Sequence, residues 1–260
     1  MMTDLNKLIR ERNSRALILD MDGVVTNTAV LHAEAWKKLC DSYLKQRSEQ
    51  DGKHYEPFDL MKDFHAYVHG VPRLEAMRNF MGSRGIDLPQ GNPEDEASEN
   101  TVVGLGERKD LYFHELLKQN GVVVFDGAVQ WVKEQRQAGM KTAIVSASRN
   151  CLTILRRAGL EKLFDVRVDR VVSNELHLRN KPAPDIYLEA ARQLGVQPEE
   201  AAVFEDSPEG IAGAKAAGFG LVVGVDHGTR KEELKTKGAD LVIQGFSAYL
   251  QAQDVATLDS

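Results

Sequence analysis

The sequence predicts an α/β fold, a Rossmann-like doubly wound parallel sheet with a helical cap inserted after the first strand. Two observations predict it. Short apolar runs alternate with helical segments that end at glycines, which is typical of βαβ units on a parallel sheet. About 90 residues, 28–118, separate the first apolar run from the next core element, far more than an ordinary crossover connection needs.

Each apolar run is predicted to be a buried strand. The first is Ala16–Leu19, and the others follow at 141–146, 165–168, 201–204, 220–224 and 240–243. The helices predicted between the strands span 128–138, 151–158, 184–194 and 208–217, and a glycine follows each of them. Right-handed crossovers then place a functional site at the carboxyl ends of the strands.

The long segment after the first strand is predicted to be a separate helical cap. We assign 29–118 to the cap, and 1–28 together with 119–260 to the catalytic core. Within the cap we predict helices at 30–45, 74–82 and 109–119, and polar loops at 46–56 and 89–100. Two independent domains in tandem are excluded, because predicted core strands lie on both sides of the insertion.

Composition places the chain among soluble globular proteins. Of its 260 residues, 42% are hydrophobic and 28% are charged, and the net charge of -6 argues against nucleic acid as a partner. Cys40 and Cys151 form no CxxC pair and suit a reducing compartment. Residues 1–15 lack the apolar region of a secretory signal, and no run is long enough for a membrane span. We therefore expect a cytoplasmic protein, without a membrane partner and monomeric.

The first strand ends in two carboxylates. Asp20 and Asp22 are two residues apart, so in a strand they point to the same side, and Gly23 permits a sharp turn directly after them. Two adjacent carboxylates repel each other unless a cation or a positive side chain lies between them. The alternative is a loop in which aspartates cap a turn, as in most D-x-D-G strings.

Polar groups also follow two other predicted strands. Ser146 follows the second strand, and Glu205 with Asp206 follows the run at 201–204, while Lys181 lies in the connection between them. If the sheet is parallel, all of these groups converge on one crevice. Hard oxygen ligands without a His or Cys cluster favour Mg²⁺ and disfavour zinc. Taken singly, each residue also has a structural interpretation, such as a strand-end hydroxyl, a solvated loop lysine or a favourable helix N-terminus.

Charge and position predict a role for each group in phosphoryl transfer. Asp20 would attack phosphorus and form an aspartyl-phosphate, and Asp22 would act as general acid and base. Lys181 and Ser146 would bind the transferring phosphoryl group. The predicted Mg²⁺ ligands are Asp20, the backbone carbonyl of Asp22, Glu205 and Asp206.

Four short motifs resemble those of the haloacid dehalogenase superfamily, and more narrowly its β-phosphoglucomutase-like branch. They are D-x-D-G at 20–23, S-A-S at 146–148, K-P-A-P-D at 181–185 and E-D-S at 205–207. The resemblance covers nearly the whole core. It implies a Mg²⁺-dependent aspartyl-phosphate mechanism on a Rossmann-like core with a mobile cap, acting on a phosphosugar.

The resemblance extends to residues that in this branch bind the sugar phosphate. The stretch that runs from Asp20 through Thr28 and His32 to Trp36 is similar throughout, and it implies that His32 couples sugar binding to acid-base action by Asp22. Arg73, in a G-V-x-R loop, is implied to bind the distal phosphate. The remaining positions implied to bind substrate are Lys109, which follows Arg108 as in the family's cap pair, and Ser148, Arg149 and Asn150.

The departures from the family pattern concern the cap more than the core. Arg149 stands where the family often has Lys, and Asn27 where it often has Asp. The cap has extra residues around 46–58 and 82–105, which puts the identity of the sugar in doubt. The implied reaction is the interconversion of β-glucose 1-phosphate and glucose 6-phosphate through a bisphosphate. The alternatives are a sugar-phosphate phosphatase and, third in order, a non-catalytic sugar-phosphate sensor.

Overall fold

The structure, a computed structural model, describes residues 2–228 and 230–246. The chain divides into two compact units. The core unit is formed by Met1–Asn27 with Val122–Ser260, and the cap unit is formed by Thr28–Gly121. No helix in the described ranges is long and apolar enough to cross a bilayer.

The core unit is built on a six-stranded sheet in which every pairing is parallel. Its order is β3-β2-β1-β4-β5-β6. The strands are β1 Ala16–Asp20, β2 Lys141–Val145, β3 Val166–Val168, β4 Ala201–Glu205, β5 Leu221–Val225 and β6 Leu241–Ile243. Strands β1, β4 and β5 are buried along their whole length, which explains their continuous apolar runs. The predicted fold class is confirmed.

The register of the sheet brings the strand ends together. Asp20 on β1 is paired with Val145 on β2, and Leu19 is paired with Phe204 on β4. The residues that follow these pairs, Ser146 and Glu205, therefore lie at the same edge as Asp20. From β1 the sheet extends to β2 and β3 on one side and to β4, β5 and β6 on the other, so the strand order reverses next to β1. Crevices for ligands form at such a point in open α/β sheets.

The described residues form ten α-helices. They are α1 Met2–Glu11, α2 Ala29–Asp51, α3 Arg73–Ser83, α4 Val102–Asn120, α5 Asp126–Gln137, α6 Cys151–Arg157, α7 Arg170–Glu175, α8 Asp185–Leu194, α9 Pro208–Ala216 and α10 Lys231–Thr236. A π-helical turn at Phe64–Val68 and two 3-10 turns at Glu161–Leu163 and Pro198–Glu200 complete the elements. Both cysteines are buried as free thiols.

Three core-unit helices were not predicted from the sequence, namely α1, α7 and α10. Each spans ten residues or fewer, so the spacing of its apolar residues gives only a short pattern. The apolar face of α1 buries Leu5 and Ile9, and Asn6 accepts a hydrogen bond from the indole of Trp131 on α5 at 3.0 Å. The buried Asp169 caps α7 by accepting hydrogen bonds from the amides of Val171 and Val172.

The predicted boundaries of two cap helices were wrong. Helix α2 continues six residues beyond the predicted end at 45 and ends at Gly52, which has a left-handed backbone with φ of 70°. Residues 45–51 include no apolar side chain, and an ion pair between Arg47 and Asp51 at 3.1 Å stabilises these last turns. Helix α4 begins at Val102 rather than at 109, because the Thr101 side chain accepts a hydrogen bond from the Gly104 amide and caps the helix. The predicted loop at 89–100 has no regular secondary structure.

The cap unit has its own hydrophobic core. Side chains from α2, α3 and α4 meet there, including Leu39, Phe80 and Leu105, all of them fully buried. Phe58 also enters this core from the segment between α2 and α3. A buried ion pair between Arg84 and Asp63 at 2.5 Å holds that segment against the end of α3.

Candidate active site

A buried ion cluster lies at the carboxyl edge of the sheet in the core unit. The ammonium of Lys181, whose side chain is 4% exposed, lies 2.6 Å from the Asp20 carboxylate and also contacts the Glu205 carboxylate. Asp20 ends β1 and Glu205 ends β4, while Lys181 comes from the loop before α8. The tertiary fold thus places one positive charge between two negative charges that are far apart in sequence.

Glu205 is held by four protein donors. One of its oxygens accepts hydrogen bonds from Lys181 and from the Tyr187 hydroxyl at 2.7 Å, and the other accepts from the Ser207 amide and hydroxyl at 3.1 and 2.8 Å. A Cβ on Gly210 would overlap this carboxylate, so α9 packs directly against it. These contacts hold the Glu205 carboxylate next to Lys181, and its role as a metal ligand stays a prediction.

The charges of the cluster perturb its titration. Burial raises the pKa of the Asp20 carboxyl, and although Lys181 opposes this, the charges of Glu205, Asp206 and Asp22 keep the pKa well above its usual value. Burial disfavours the charged form of Lys181, but Asp20 and Glu205 outweigh that effect and hold the Lys181 pKa well above its usual value. The edge therefore carries more negative charge than one lysine can balance.

Asp22 and the loop after β2 lie at the same edge. The Ser146 hydroxyl donates to the Asp22 carboxylate at 3.4 Å and accepts from the Ser148 amide at 3.1 Å. The Ser148 hydroxyl in turn accepts from the Asn150 amide at 3.1 Å. Two successive turns, each closed by a serine hydroxyl that accepts from a backbone amide, thus shape the loop. In this loop Asn150 is buried and Arg149 is exposed.

The residues at this edge fit a magnesium ion. A Cβ on Gly23 would overlap the Asp206 carboxylate, so Asp206 lies directly against the backbone of the Asp22–Gly23 turn. Within the described part of the chain, no three His, Cys, Asp or Glu side chains are grouped so that they could hold a metal ion by themselves. An ion at this edge would need backbone, water or phosphate oxygens as well, which is how proteins commonly bind Mg²⁺.

A second polar cluster lies in the cap unit, on α2 and α4. The Lys109 ammonium, which is 3% exposed, donates to Nδ1 of His32 at 2.7 Å. The His32 ring stacks on Phe113 with the centroids 4.1 Å apart, and its Nε2 is buried without a hydrogen-bond partner. Burial lowers the His32 pKa well below its usual value, and the nearby charges of Lys109 and His114 lower it further. His32 is thus a neutral ring whose Nδ1 accepts and whose Nε2 carries the proton.

Arg73, at the start of α3, is held by two carboxylates of α4. Its guanidinium lies 2.8 Å from Glu107 and 3.4 Å from Asp110. A Cβ on Gly106 would lie 2.8 Å from the Leu74 side chain, so the absence of a side chain there lets the start of α3 pack closely on α4. Any phosphate that binds Arg73 has to compete with, or bind beside, these two negative charges.

Three other cap residues that the sequence analysis named have contacts or burial that indicate a structural role. Thr28 is fully buried at the start of α2, and Trp36 is 2% exposed within the apolar core of the cap unit. Arg108 donates to the carbonyls of Ala97 and Ser98 and so fixes the polar loop at 89–100. Trp36 and Arg108 therefore stabilise the cap unit through packing and loop anchoring.

Sequence reasoning missed Tyr187, Glu107 and Asp110. Tyr187 gave no signal of its own, because a tyrosine in an apolar helix usually indicates packing. Glu107 and Asp110 flank the singled-out Lys109 on α4, but only the fold brings them to Arg73, which is 34 residues from Glu107.

Comparisons with known proteins agree with this geometry. The family model for haloacid dehalogenase-like hydrolases matches residues 14–218. A β-phosphoglucomutase from Mycobacterium bovis is 42% identical over 239 residues, which cover 91% of each chain. A phosphorylated carbohydrates phosphatase from Thermotoga maritima is 36% identical over 216 residues, which cover 82% of this chain and 85% of the relative.

The comparison with solved structures covers both units. A crystal structure of β-phosphoglucomutase from Clostridium difficile superposes with a TM-score of 0.71 at 26% identity, covering 95% of this chain and 100% of the other. The chain belongs to the haloacid dehalogenase-like hydrolase family, as its four motifs indicated, and it is a homologue of the β-phosphoglucomutases.

Replacing Asp20 with asparagine should abolish activity, because an amide cannot take the place of the attacking carboxylate. We expect D20N to lose phosphoryl transfer by about a thousandfold or more. A melting curve in magnesium-free buffer checks that the variant is folded at the assay temperature. The exposed control D87N should keep the activity of the parent protein. Retained turnover in folded D20N would contradict this assignment.

Titration of His32 should appear in the pH dependence of unfolding. Its pKa is lower in the folded than in the unfolded chain, so its contribution to stability is complete above about pH 6.5 and is lost as the pH falls. From pH 6.5 downward, we expect the free energy of unfolding to fall more steeply for the parent protein than for H32N, by up to about 1.4 kcal/mol per pH unit. Denaturant titrations between pH 5 and 8 measure the difference. The exposed-histidine control H54N should follow the parent protein; parallel curves for H32N would show that His32 is not the group responsible.

Proposed function

We propose that this protein transfers a phosphoryl group on a phosphosugar, interconverting β-glucose 1-phosphate and glucose 6-phosphate through a bisphosphate. The observation that carries the proposal is the buried Asp20 carboxylate held by Lys181 at the sheet edge where ligands bind in this fold class. The identity with β-phosphoglucomutases over nine-tenths of the chain supports the choice of substrate.

Asp20 is the proposed nucleophile. One of its carboxylate oxygens forms a bond to phosphorus while the bond from phosphorus to the departing oxygen breaks, which leaves an aspartyl-phosphate. Asp22 donates a proton to that departing oxygen, and it later removes a proton from the sugar hydroxyl that accepts the phosphoryl group. The Ser146 hydroxyl, which contacts Asp22, and the Lys181 ammonium bind the phosphoryl oxygens during the transfer.

Magnesium is the proposed cofactor. Its ligands from the protein would be Asp20, Glu205, Asp206 and the backbone carbonyl of Asp22, with water and phosphate oxygens completing the set. The bound ion would supply positive charge to the transferring phosphoryl group. The hydrogen bonds that Glu205 accepts from the protein would fix the orientation of its carboxylate.

The cap unit is proposed to bind the rest of the sugar phosphate. Arg73 has the planar guanidinium suited to a distal phosphate, and His32 and Lys109 offer hydrogen-bond donors to the sugar. Glu107, whose side chain is 31% exposed, is the partner that a phosphate would displace from Arg73. The Arg73–Glu107 ion pair would then weaken the binding of bisphosphates without preventing it.

A sugar-phosphate phosphatase is the second candidate. The engagement of Arg73 by Glu107 and Asp110 favours it, since hydrolysis of a monophosphate does not need a second phosphate site. The phosphatase relative from Thermotoga maritima also favours it. In this case water accepts the phosphoryl group from Asp20, and the chemistry of the core unit is otherwise the same.

One assay separates the two reactions. The protein is incubated with β-glucose 1-phosphate, Mg²⁺ and a trace of glucose 1,6-bisphosphate, and both glucose 6-phosphate and inorganic phosphate are followed. The mutase proposal expects glucose 6-phosphate as the main product, and the α-anomer of glucose 1-phosphate serves as the matched control substrate. Inorganic phosphate without glucose 6-phosphate would establish the phosphatase instead, and turnover of neither substrate would exclude both reactions on glucose phosphates.

Opposite effects are expected from the two members of the Arg73–Glu107 pair. R73A should lower mutase kcat/KM by about tenfold to a hundredfold, the cost of a charge-assisted hydrogen bond to phosphate. E107Q should instead lower the KM for the bisphosphate by about twofold to fivefold, because a partly exposed competing charge is removed. The exposed control E94Q should leave both constants unchanged. An equal loss in R73A and E107Q would mean that the pair stabilises the fold and does not compete with phosphate.

A further inference from the structure

His227 contacts the turn that follows Asp22, although neither its position in the chain nor its surroundings marked it as a site residue. It lies just beyond β5, where the Asp226 amide donates to the Ile243 carbonyl at 2.8 Å and keeps the chain in register with β6. From there Nε2 of His227 lies 2.6 Å from the Gly23 carbonyl. Because a carbonyl can only accept, the histidine has to carry a proton on Nε2.

The turn that His227 contacts is also contacted by Asp206. Gly23 has a φ of 83°, its amide donates to the Thr26 carbonyl at 2.8 Å, and a Cβ at this position would overlap the Asp206 carboxylate. The turn is thus restrained by both Asp206 and His227. It determines where the backbone carbonyl of Asp22 points, since that carbonyl belongs to the peptide that precedes Gly23.

The same ring also contacts the segment where the chain returns to the core unit. It stacks on Phe125 with the centroids 4.7 Å apart and the planes 17° from parallel. The Phe125 amide donates to the Val25 carbonyl at 2.9 Å, and the Asn27 amide donates to the Val123 carbonyl at 2.8 Å. The segments just before and just after the cap unit are therefore hydrogen-bonded to each other, and His227 contacts a residue in each of them.

We propose that His227 is a positioning residue, whose hydrogen bond to the Gly23 carbonyl orients the Asp22–Gly23 turn for magnesium binding and phosphoryl transfer. Only the part that concerns magnesium binding and phosphoryl transfer rests on the proposed function, because the restraint on the turn exists without metal or substrate. His227 acts on Gly23 through this hydrogen bond. The stacking on Phe125 holds the imidazole ring in the orientation that the hydrogen bond needs.

Because His227 is exposed at the edge of the sheet, it can be replaced without opening the core. H227F keeps an aromatic ring against Phe125 and removes the donor. H227Q loses the ring but keeps an N–H donor at about the same distance from the backbone. The two variants therefore separate the hydrogen bond from the stacking, and the exposed H54Q is the matched control.

The first measurement is amide hydrogen exchange of the segment 21–27 in the metal-free protein, where the amides of Val25 and Thr26 donate to the Met21 carbonyl. The second is the Mg²⁺ concentration for half-maximal turnover, with the KM for the phosphosugar determined in parallel. We expect H227F to raise both the exchange rate and the Mg²⁺ requirement by about fivefold, the value of one hydrogen bond. H227Q should stay within twofold of the parent protein, and KM should change little in either.

Three results would overturn the proposal. They are parental behaviour of H227F in both measurements, equal changes in H227F and H227Q, and faster exchange in H227F with an unchanged Mg²⁺ requirement. The exchange measurement needs no turnover, so it decides whether His227 restrains the turn even if the protein proves inactive on glucose phosphates. Inactivity of the parent protein would count against the proposed function, whereas parental exchange in H227F would count against the role of His227.

Discussion

The placement of one buried lysine between two carboxylates governs the chemistry of the core unit. Lys181 contacts both Asp20 and Glu205, and all three side chains are nearly excluded from water. A buried ion pair is costly to form and far more costly to break, so Tyr187 and Ser207, which satisfy Glu205, are part of the same constraint. Four carboxylates, Asp20, Asp22, Glu205 and Asp206, thus act on one another at this edge, where Lys181 is the buried positive charge.

The cap unit handles buried charge differently. His32 is kept neutral by burial and by the adjacent Lys109, and so offers a donor and an acceptor without adding a charge. Arg73 is balanced by Glu107 and Asp110 within the same unit. The cap unit therefore supplies partners for both of these groups from its own helices.

Predictions from the sequence succeeded where local pattern and tertiary environment agree. The run Ala16–Leu19 is apolar because β1 is buried on both faces, so the strand was evident from composition alone. Predictions failed for two physical reasons. Helix α1 packs on a distant element, through the contact of Asn6 with Trp131. The last turns of α2 and the first turns of α4 depend on local polar contacts, the Arg47–Asp51 ion pair and the Thr101 cap, which the spacing of apolar residues does not reveal.

The sequence by itself determined the fold class, the family and the set of chemical groups at the strand ends. The spacing of apolar residues, the glycines that end helices and the short motifs are local properties of the chain, so they are evident without the structure. It did not determine how those groups are partnered. Only the tertiary structure decided that Glu205 anchors Lys181, that carboxylates of α4 hold Arg73, and that His227 reaches the Gly23 carbonyl. These partners are tens to hundreds of residues apart, and whether two such side chains meet depends on strand order and helix packing, which no local pattern encodes.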